Sequence, residues 1–122
     1  MARLLIVDDD RTLVSLLSQM VAINGHSASG AYGGKQALEL VASQPVDLML
    51  LDLMMPDIDG FETLRRLRTM PQGKNLPVIV VTAMPDPDID QRVLGAGGDA
   101  CLRKPVEFDT LAAAIDSHLP HV

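Results

Sequence analysis

The chain has 122 residues with a formal net charge of -6, a length that fits one domain spanning residues 1–122. Apolar residues make up 48% and charged residues 21%, enough for a real core and too few charges for a disordered chain. The acidic balance, with no basic run, zinc-ligand spacing or aromatic RNA-binding motif, argues against direct nucleic-acid binding. No apolar stretch behind a basic leader suggests a signal peptide or a membrane span. The one cysteine, Cys101, has no partner for an internal disulfide, which suits a reducing cytoplasm.

The first apolar run is Leu4-Leu5-Ile6-Val7, stopped by acids. Asp10 is placed to cap the next helix, whose spacing puts Leu13, Leu16, Leu17, Met20 and Val21 on one face. Asn24-Gly25 ends that helix. A weak strand follows over 26–31, then a Tyr32-Gly33-Gly34 turn and a helix carrying Ala37, Leu38 and Val41 to about Ser43, with Pro45 just beyond. Asp47-Leu48-Met49-Leu50-Leu51 is a continuous apolar run, the pattern of a strand covered on both faces. The loop Met55-Pro56-Asp57-Ile58-Asp59-Gly60 leads into a helix with Phe61, Leu64 and Leu67; Asp57 and Asp59 read as turn and cap residues. The stretch 77–81 is nearly all β-branched and is the clearest strand. Asp86-Pro87 reads as a cap with proline in the first turn of a helix that Gly95, Gly97 and Gly98 leave short and mobile. A strand over 99–103 and a helix with Phe108, Leu111, Ala112, Ile115 and Leu119 on one face complete the chain. Strict alternation with short connections implies right-handed βα units and a parallel sheet between helices, an α/β doubly wound fold. Such a sheet binds ligands at the carboxyl ends of its strands.

The residues after each apolar run therefore carry the chemistry. Strand one ends in Asp8-Asp9, strand three in Asp52, strand four in Thr82-Ala83 and strand five in Lys104-Pro105. In a parallel sheet these ends share one rim. Taken alone, an acidic pair is a helix cap, Thr82 a strand residue and Lys104 a surface lysine. Taken together, close carboxylates repel by about 4 kcal/mol per pair at an effective dielectric of about 20, and a compensating charge is required. Oxygen ligands at an open rim suit Mg²⁺, and Lys104 adds a second positive charge. Phosphoryl transfer needs that kind of charge neutralisation. A carboxylate serves as nucleophile, and Asp52, alone at the end of the central strand, is its candidate. Lys104 and Thr82, with a nearby backbone N–H, would cover phosphoryl oxygens. Met54 and Met84 flank the expected site and read as groups limiting water access. His26, His118 and His121 show no metal spacing.

The segments Leu5-Ile6-Val7-Asp8-Asp9-Asp10, Leu51-Asp52-Leu53-Met54-Met55-Pro56-Asp57-Ile58-Asp59-Gly60, Val80-Val81-Thr82-Ala83 and Arg103-Lys104-Pro105 resemble, in that order, response-regulator receiver domains of two-component signalling. The resemblance covers almost the whole chain. It implies a CheY-like, flavodoxin-like (βα)5 fold with a five-stranded parallel sheet in the order 2-1-3-4-5. It implies Asp52 as phosphoacceptor, Asp9 as a direct Mg²⁺ ligand, Asp8 as a ligand through water and the Met54 backbone carbonyl as a further ligand. Thr82 and the Ala83 backbone N–H would face the phosphoryl group, Lys104 would pair with it, and the peptide before Pro105 would be cis. The implied phosphodonor is a phosphohistidine on a sensor histidine kinase or a histidine phosphotransfer protein. The implied reader is a downstream effector protein or domain, docking on the face of helix 4, strand 5 and helix 5; a homodimer is also allowed. The molecule would be a switch that catalyses only its own phosphorylation and dephosphorylation. Phosphorylation would draw Thr82 and residues 84–88 toward the new charge, with helix 4 following.

Two positions depart from the family's pattern. Cys101 stands where a switching Tyr or Phe often precedes the lysine by three residues, so an aromatic readout has no ring to move. Val106 stands where Phe often follows Lys-Pro. Among other readings, an aspartate-based phosphatase wants Asp-x-Asp, and Asp52-Leu53-Met54 lacks the second acid. A phosphorylation-independent interaction module would not need the acid–Thr–Lys set. A flavin site would need a phosphate-cradling loop where the acids of strand one stand. No effector segment follows, so the chain is expected to act alone or as the receiver piece of a longer protein.

Overall fold

The computed structural model describes residues 1–119; Pro120, His121 and Val122 lie outside them, and with them the reading of His121 as a histidine without metal spacing. The described residues form five strands and five helices in strict alternation: β1 (Arg3–Val7), α1 (Arg11–Ile23), β2 (Ser27–Ala31), α2 (Gly34–Ser43), β3 (Leu48–Leu51), α3 (Gly60–Leu67), β4 (Val78–Thr82), α4 (Ile89–Gly95), β5 (Ala100–Arg103) and α5 (Phe108–His118). All strand pairings are parallel, in the order β2-β1-β3-β4-β5, the doubly wound α/β arrangement expected from the sequence. No helix among the described residues is long and apolar enough to cross a membrane.

The unbroken apolar strands have a simple consequence. Successive side chains point to opposite faces, and both faces are covered. Leu5, Val7, Met49, Leu51, Val78 and Val80 pack with Ala37 and Val41 of α2, Leu64 and Leu67 of α3, and Ile89 and Val93 of α4. The alternate residues Leu4, Ile6, Leu48, Leu50, Ile79 and Val81 pack with Val14, Leu17 and Val21 of α1 and Leu111 and Ile115 of α5. Strand β2 is an edge, and its Ser-Ala-Ser-Gly-Ala sequence buries only its last residue.

Helix ends follow local chemistry. Asp10 accepts from the Thr12 and Leu13 N–H groups and caps α1 as the sequence predicts. Gly25, at φ +87°, closes α1: its N–H donates to Ala22 and that of His26 to Val21. Gly97, at φ +103°, does the same for α4, with donation from Gly97 to Leu94 and from Gly98 to Val93. This explains why α4 is short.

Two sequence expectations are corrected. Leu16 is not on the buried stripe of α1; it is half exposed, and the core-facing residues are Val14, Leu17 and Val21. The reason is rotational: a stripe through Leu17 and Val21 continues back to Val14 and leaves Leu16 to one side. Asp86-Pro87 does not begin α4. The helix starts at Ile89, and the Asp86 carboxylate instead accepts from the Asp88 N–H at 2.8 Å and pairs with Arg92 at 2.6 Å. A local Asx turn wins over the longer helix.

The end of the molecule opposite the carboxyl rim is held by Arg68, just past α3. Its guanidinium donates to the carbonyls of Gly73 (2.8 Å), Leu76 (2.6 Å) and Gly97 (2.6 Å) and reaches Asp99 at 3.3 Å. Asp99 in turn accepts from the Val78 N–H. One side chain thus ties α3 to the loops before β4 and β5. Replacement Arg68→Ala removes the guanidinium donors from the Leu76 and Gly97 carbonyls, with Gly73 keeping only the Leu76 N–H, and is expected to cost about 3 kcal/mol in urea unfolding; a loss below about 0.5 kcal/mol would show that water replaces the guanidinium.

Candidate functional site

Strand register places the acids. Val7 of β1 pairs with Leu51 of β3, so the residues that follow, Asp8 and Asp52, leave neighbouring strands at the same height. The Asp52 N–H donates to the Val7 carbonyl at 2.9 Å, extending the ladder one step and holding its side chain at the rim. Asp8 is 3% and Asp52 4% exposed, whereas Asp9 is exposed. One oxygen from each of Asp8, Asp9 and Asp52 lies within 4.8 Å of the others.

Lys104 completes the group from the far side of the sheet. The register Thr82↔Arg103 and the Lys104 N–H donation to the Thr82 carbonyl at 3.0 Å bring its backbone alongside the end of β4. Its side chain then crosses the rim. Nζ donates to Asp8 Oδ2 at 2.8 Å and to Asp52 Oδ2 at 3.3 Å. The next peptide, Lys104–Pro105, is cis. The remaining oxygens are engaged from nearby backbone: the Asp10 N–H donates to Asp8 Oδ1 at 2.9 Å and the Met54 N–H to Asp52 Oδ1 at 3.4 Å.

The electrostatics follow from this packing. Burial raises the Asp52 carboxyl above its ordinary range, and the Asp8 charge raises it further; Lys104 and the Met54 N–H only partly offset them. For Lys104, burial pulls the other way, but the hydrogen bond to Asp8 and the charges of Asp52 and Asp8 outweigh it and raise the ammonium above its usual value. The site is short of positive charge. Its donor set is all oxygen and partly open to solvent, which fits a hard divalent cation such as Mg²⁺.

Thr82 is fully buried at the end of β4, and its hydroxyl accepts from the Met84 N–H at 3.1 Å. Ala83, next along, is exposed. Met54 is 47% exposed, Met84 partly buried, and the two line an open groove with Asp9, Met55, Phe61 and Arg92 beside the acids. Cys101 pairs with Val80 and packs against the core between sheet and α4. Burial and the neighbouring Asp90 push its thiol up to about 11, so it is a neutral, small packing group near physiological pH.

Two contacts were not readable from sequence spacing. Arg92 of α4 lies over the Phe61 ring of α3, 4.7 Å from its centroid, while bound to Asp86. Asp57 accepts from the Gly34 and Lys35 N–H groups at the start of α2, whereas Asp59 caps α3 through the Glu62 N–H at 2.8 Å. The sequence marks both acids as turn or cap residues; only the fold shows that Asp57 caps another helix.

The family model described as the response regulator receiver domain matches residues 4–116. Over 113 residues, 91% of the chain, it is 42% identical to the response regulator MprA of Mycolicibacterium vanbaalenii, covering 47% of that protein. It is 41% identical over the same span to MprA of Mycobacterium avium, covering 48% of it. The chain thus spans about half the length of these curated relatives. The structure superposes on the chemotaxis protein CheY4 of Vibrio cholerae with a TM-score of 0.91 at 28% identity, covering 98% of this chain and 99% of that one. On the receiver domain of a Francisella response regulator the TM-score is 0.88 at 31% identity, covering 96% and 95%.

Because its raised pKa means that ionised Asp52 opposes folding, Asp52→Asn in chelator at neutral pH is expected to raise stability by about 1 kcal/mol, or about 4 °C in Tm. Above the raised folded-state pKa the gain is constant. It shrinks as pH falls through that pKa toward the ordinary value of 3.8, where the wild-type carboxyl takes up its proton in both states. Thermal melts across pH that show no gain at pH 7 would contradict the assigned strain.

Proposed function

The chain belongs to the response regulator receiver domain family, and from that premise we propose that Asp52 is its phosphoacceptor within a receiver domain spanning residues 1–122. The observation that carries this reading is the Lys104 ammonium bridging two buried carboxylates, Asp8 and Asp52, beside the exposed Asp9. Structural ion pairs do not ordinarily bury two acids against one base, because the surplus charge is costly. A site that receives a phosphoryl group with a cation needs that surplus.

In the proposed reaction an Asp52 carboxylate oxygen forms a bond to phosphorus while the P–N bond of a donor phosphohistidine breaks. The imidazole leaves with the electron pair. Lys104 shifts from its carboxylate partners toward a phosphoryl oxygen, and the Thr82 hydroxyl and Ala83 N–H face another. Asp9, Asp52 and the Met54 carbonyl would hold Mg²⁺, with Asp8 acting through water. When bound, the ion neutralises the gathered acids and the charge on the phosphoryl oxygens. Met54 and Met84 flank the acceptor and limit water access to the acyl phosphate. The donor is a phosphohistidine of a sensor histidine kinase or histidine phosphotransfer protein, and the output goes to an effector protein or domain.

Switching uses what holds the β4–α4 segment. Among the described residues the Thr82 hydroxyl is engaged only with the Met84 N–H, and α4 is seven residues long with a glycine-closed end. A new charge on Asp52 draws Thr82 inward, and the segment following it adjusts, altering the face of α4, β5 and α5. Cys101 lets this occur without an aromatic ring changing rotamer.

Incubation with acetyl phosphate and Mg²⁺ is expected to add one phosphoryl group to the wild type, detected by intact mass. Asp52→Asn abolishes it, and Lys104→Ala slows it by about 100-fold. Labelling that persists in Asp52→Asn would refute the assignment. For the switch, amide exchange with beryllofluoride and Mg²⁺ is expected to change protection over residues 84–98; identical exchange in both states would remove α4 from the route.

A further inference from the structure

We propose that Asp57 is a positioning residue for the metal-binding loop: its carboxylate, docked on the amino end of α2, holds the β3–α3 connection so that the Met54 carbonyl stays at the acidic rim. The inference rests on the reading of that rim as a magnesium-dependent phosphoacceptor site.

The first observation is that α2 has no cap of its own. Gly33 stands at its N-cap position and offers no side chain. The first free donors of the helix go instead to a residue more than twenty positions away: the Gly34 N–H donates to Asp57 Oδ1 at 3.1 Å and the Lys35 N–H to Asp57 Oδ2 at 3.0 Å. Both oxygens of one carboxylate are thus used on one helix end, where the positive end of the helix dipole favours a negative charge. Burial pushes the Asp57 carboxyl up, yet the N–H groups of Lys35, Ile58 and Gly34 outweigh it and hold it below its ordinary range.

The second observation is that the chain leaves room for this contact. A Cβ on Gly33 would lie 2.8 Å from Asp57 Oδ2, and one on Gly34 would run into Thr63 and lie 2.5 Å from Ile58 Cγ1. Bare backbone at 33 and 34 is what lets the loop approach α2.

The third concerns the loop itself. Its neck is closed by the Gly60 N–H donating to the Leu53 carbonyl at 2.8 Å, and a Cβ on Gly60 would lie 2.5 Å from the Asp52 carbonyl oxygen. Its tip is Asp57. Between neck and tip lies Met54, half exposed, whose N–H makes only a long 3.4 Å bond to Asp52 Oδ1. Beyond its own closure the loop is held by the two Asp57 hydrogen bonds to α2, with Met55 packed against the core and Ile58 beside Gly34. Outer groups that orient a metal's direct ligands tune affinity in this way.

Calorimetric titration of the whole chain with MgCl₂ alone, together with thermal melts, tests the role. Asp57→Ala is expected to weaken magnesium binding about tenfold, and Asp57→Asn, which keeps one acceptor for α2, by about threefold. Val41→Ala, which removes two buried methyl groups near the carboxyl end of α2, is expected to lower Tm at least as much and leave magnesium affinity within about twofold of the wild type. If Asp57→Ala binds magnesium as the wild type does, or Val41→Ala weakens it equally, Asp57 is only a helix cap and the proposal fails. Should Asp57→Ala not fold, Asp57→Asn decides, with unchanged affinity overturning the role. A wild type that binds no magnesium overturns both this inference and the reading of the rim, whereas wild-type binding shared unchanged by Asp57→Ala overturns this inference alone.

Discussion

The Lys104 ammonium reaches Asp8 at 2.8 Å and Asp52 at 3.3 Å, and both carboxylates are almost wholly buried. Two acids and one base at that depth do not balance. In a medium of low effective dielectric the remaining negative charge is expensive, and it shows as a raised carboxyl at Asp52. The parallel sheet makes the arrangement unavoidable. Register sets Asp8 beside Asp52, and the pairing of β4 with β5 delivers Lys104 across the top of Thr82. The strands bury both faces in apolar helices, so their carboxyl ends are where polar side chains gather. The core keeps that frame stiff enough to hold like charges together.

Around this rigid frame the connecting segments differ in how firmly they are held. The β3–α3 loop is closed at its neck by Gly60 and anchored at its tip by Asp57. The β4–α4 segment has lighter restraints: an Asx turn at Asp86, the Arg92 pair, and the Thr82 hydroxyl bond to Met84. This division suits a site in which one loop presents fixed ligands while the other responds to charge on Asp52. Arg92 spans the two, bound to Asp86 and stacked over Phe61. Cys101 gives the interface between the sheet and α4 a small packing group where a ring would be bulkier.

Much of the fold was legible in the chain because its signals are local. Continuous apolar runs such as 48–51 and 78–81 announce strands covered on both faces, and Asp10 and Asn24-Gly25 mark helix ends by hydrogen bonds to adjacent residues. The errors were local as well. Spacing alone put Leu16 on the buried face of α1, and a proline after Asp86 imitated a helix start where the carboxylate makes a turn. In both cases a neighbouring contact decided between two patterns of similar strength.

By itself the sequence determined the alternation of strands and helices, and therefore which residues stand at carboxyl ends: Asp8, Asp9, Asp52, Thr82 and Lys104. Continuous apolar runs and short connections depend only on near neighbours along the chain. The tertiary structure decided what those residues touch. Lys104 meets Asp8 across 96 positions, Asp57 caps a helix 23 positions earlier, and Arg68 ties α3 to the loops before β4 and β5. Such contacts depend on register and on the packing of helices over the sheet. A hydrogen bond between distant residues leaves no periodic trace in the chain, since its partners are specified by geometry and not by spacing.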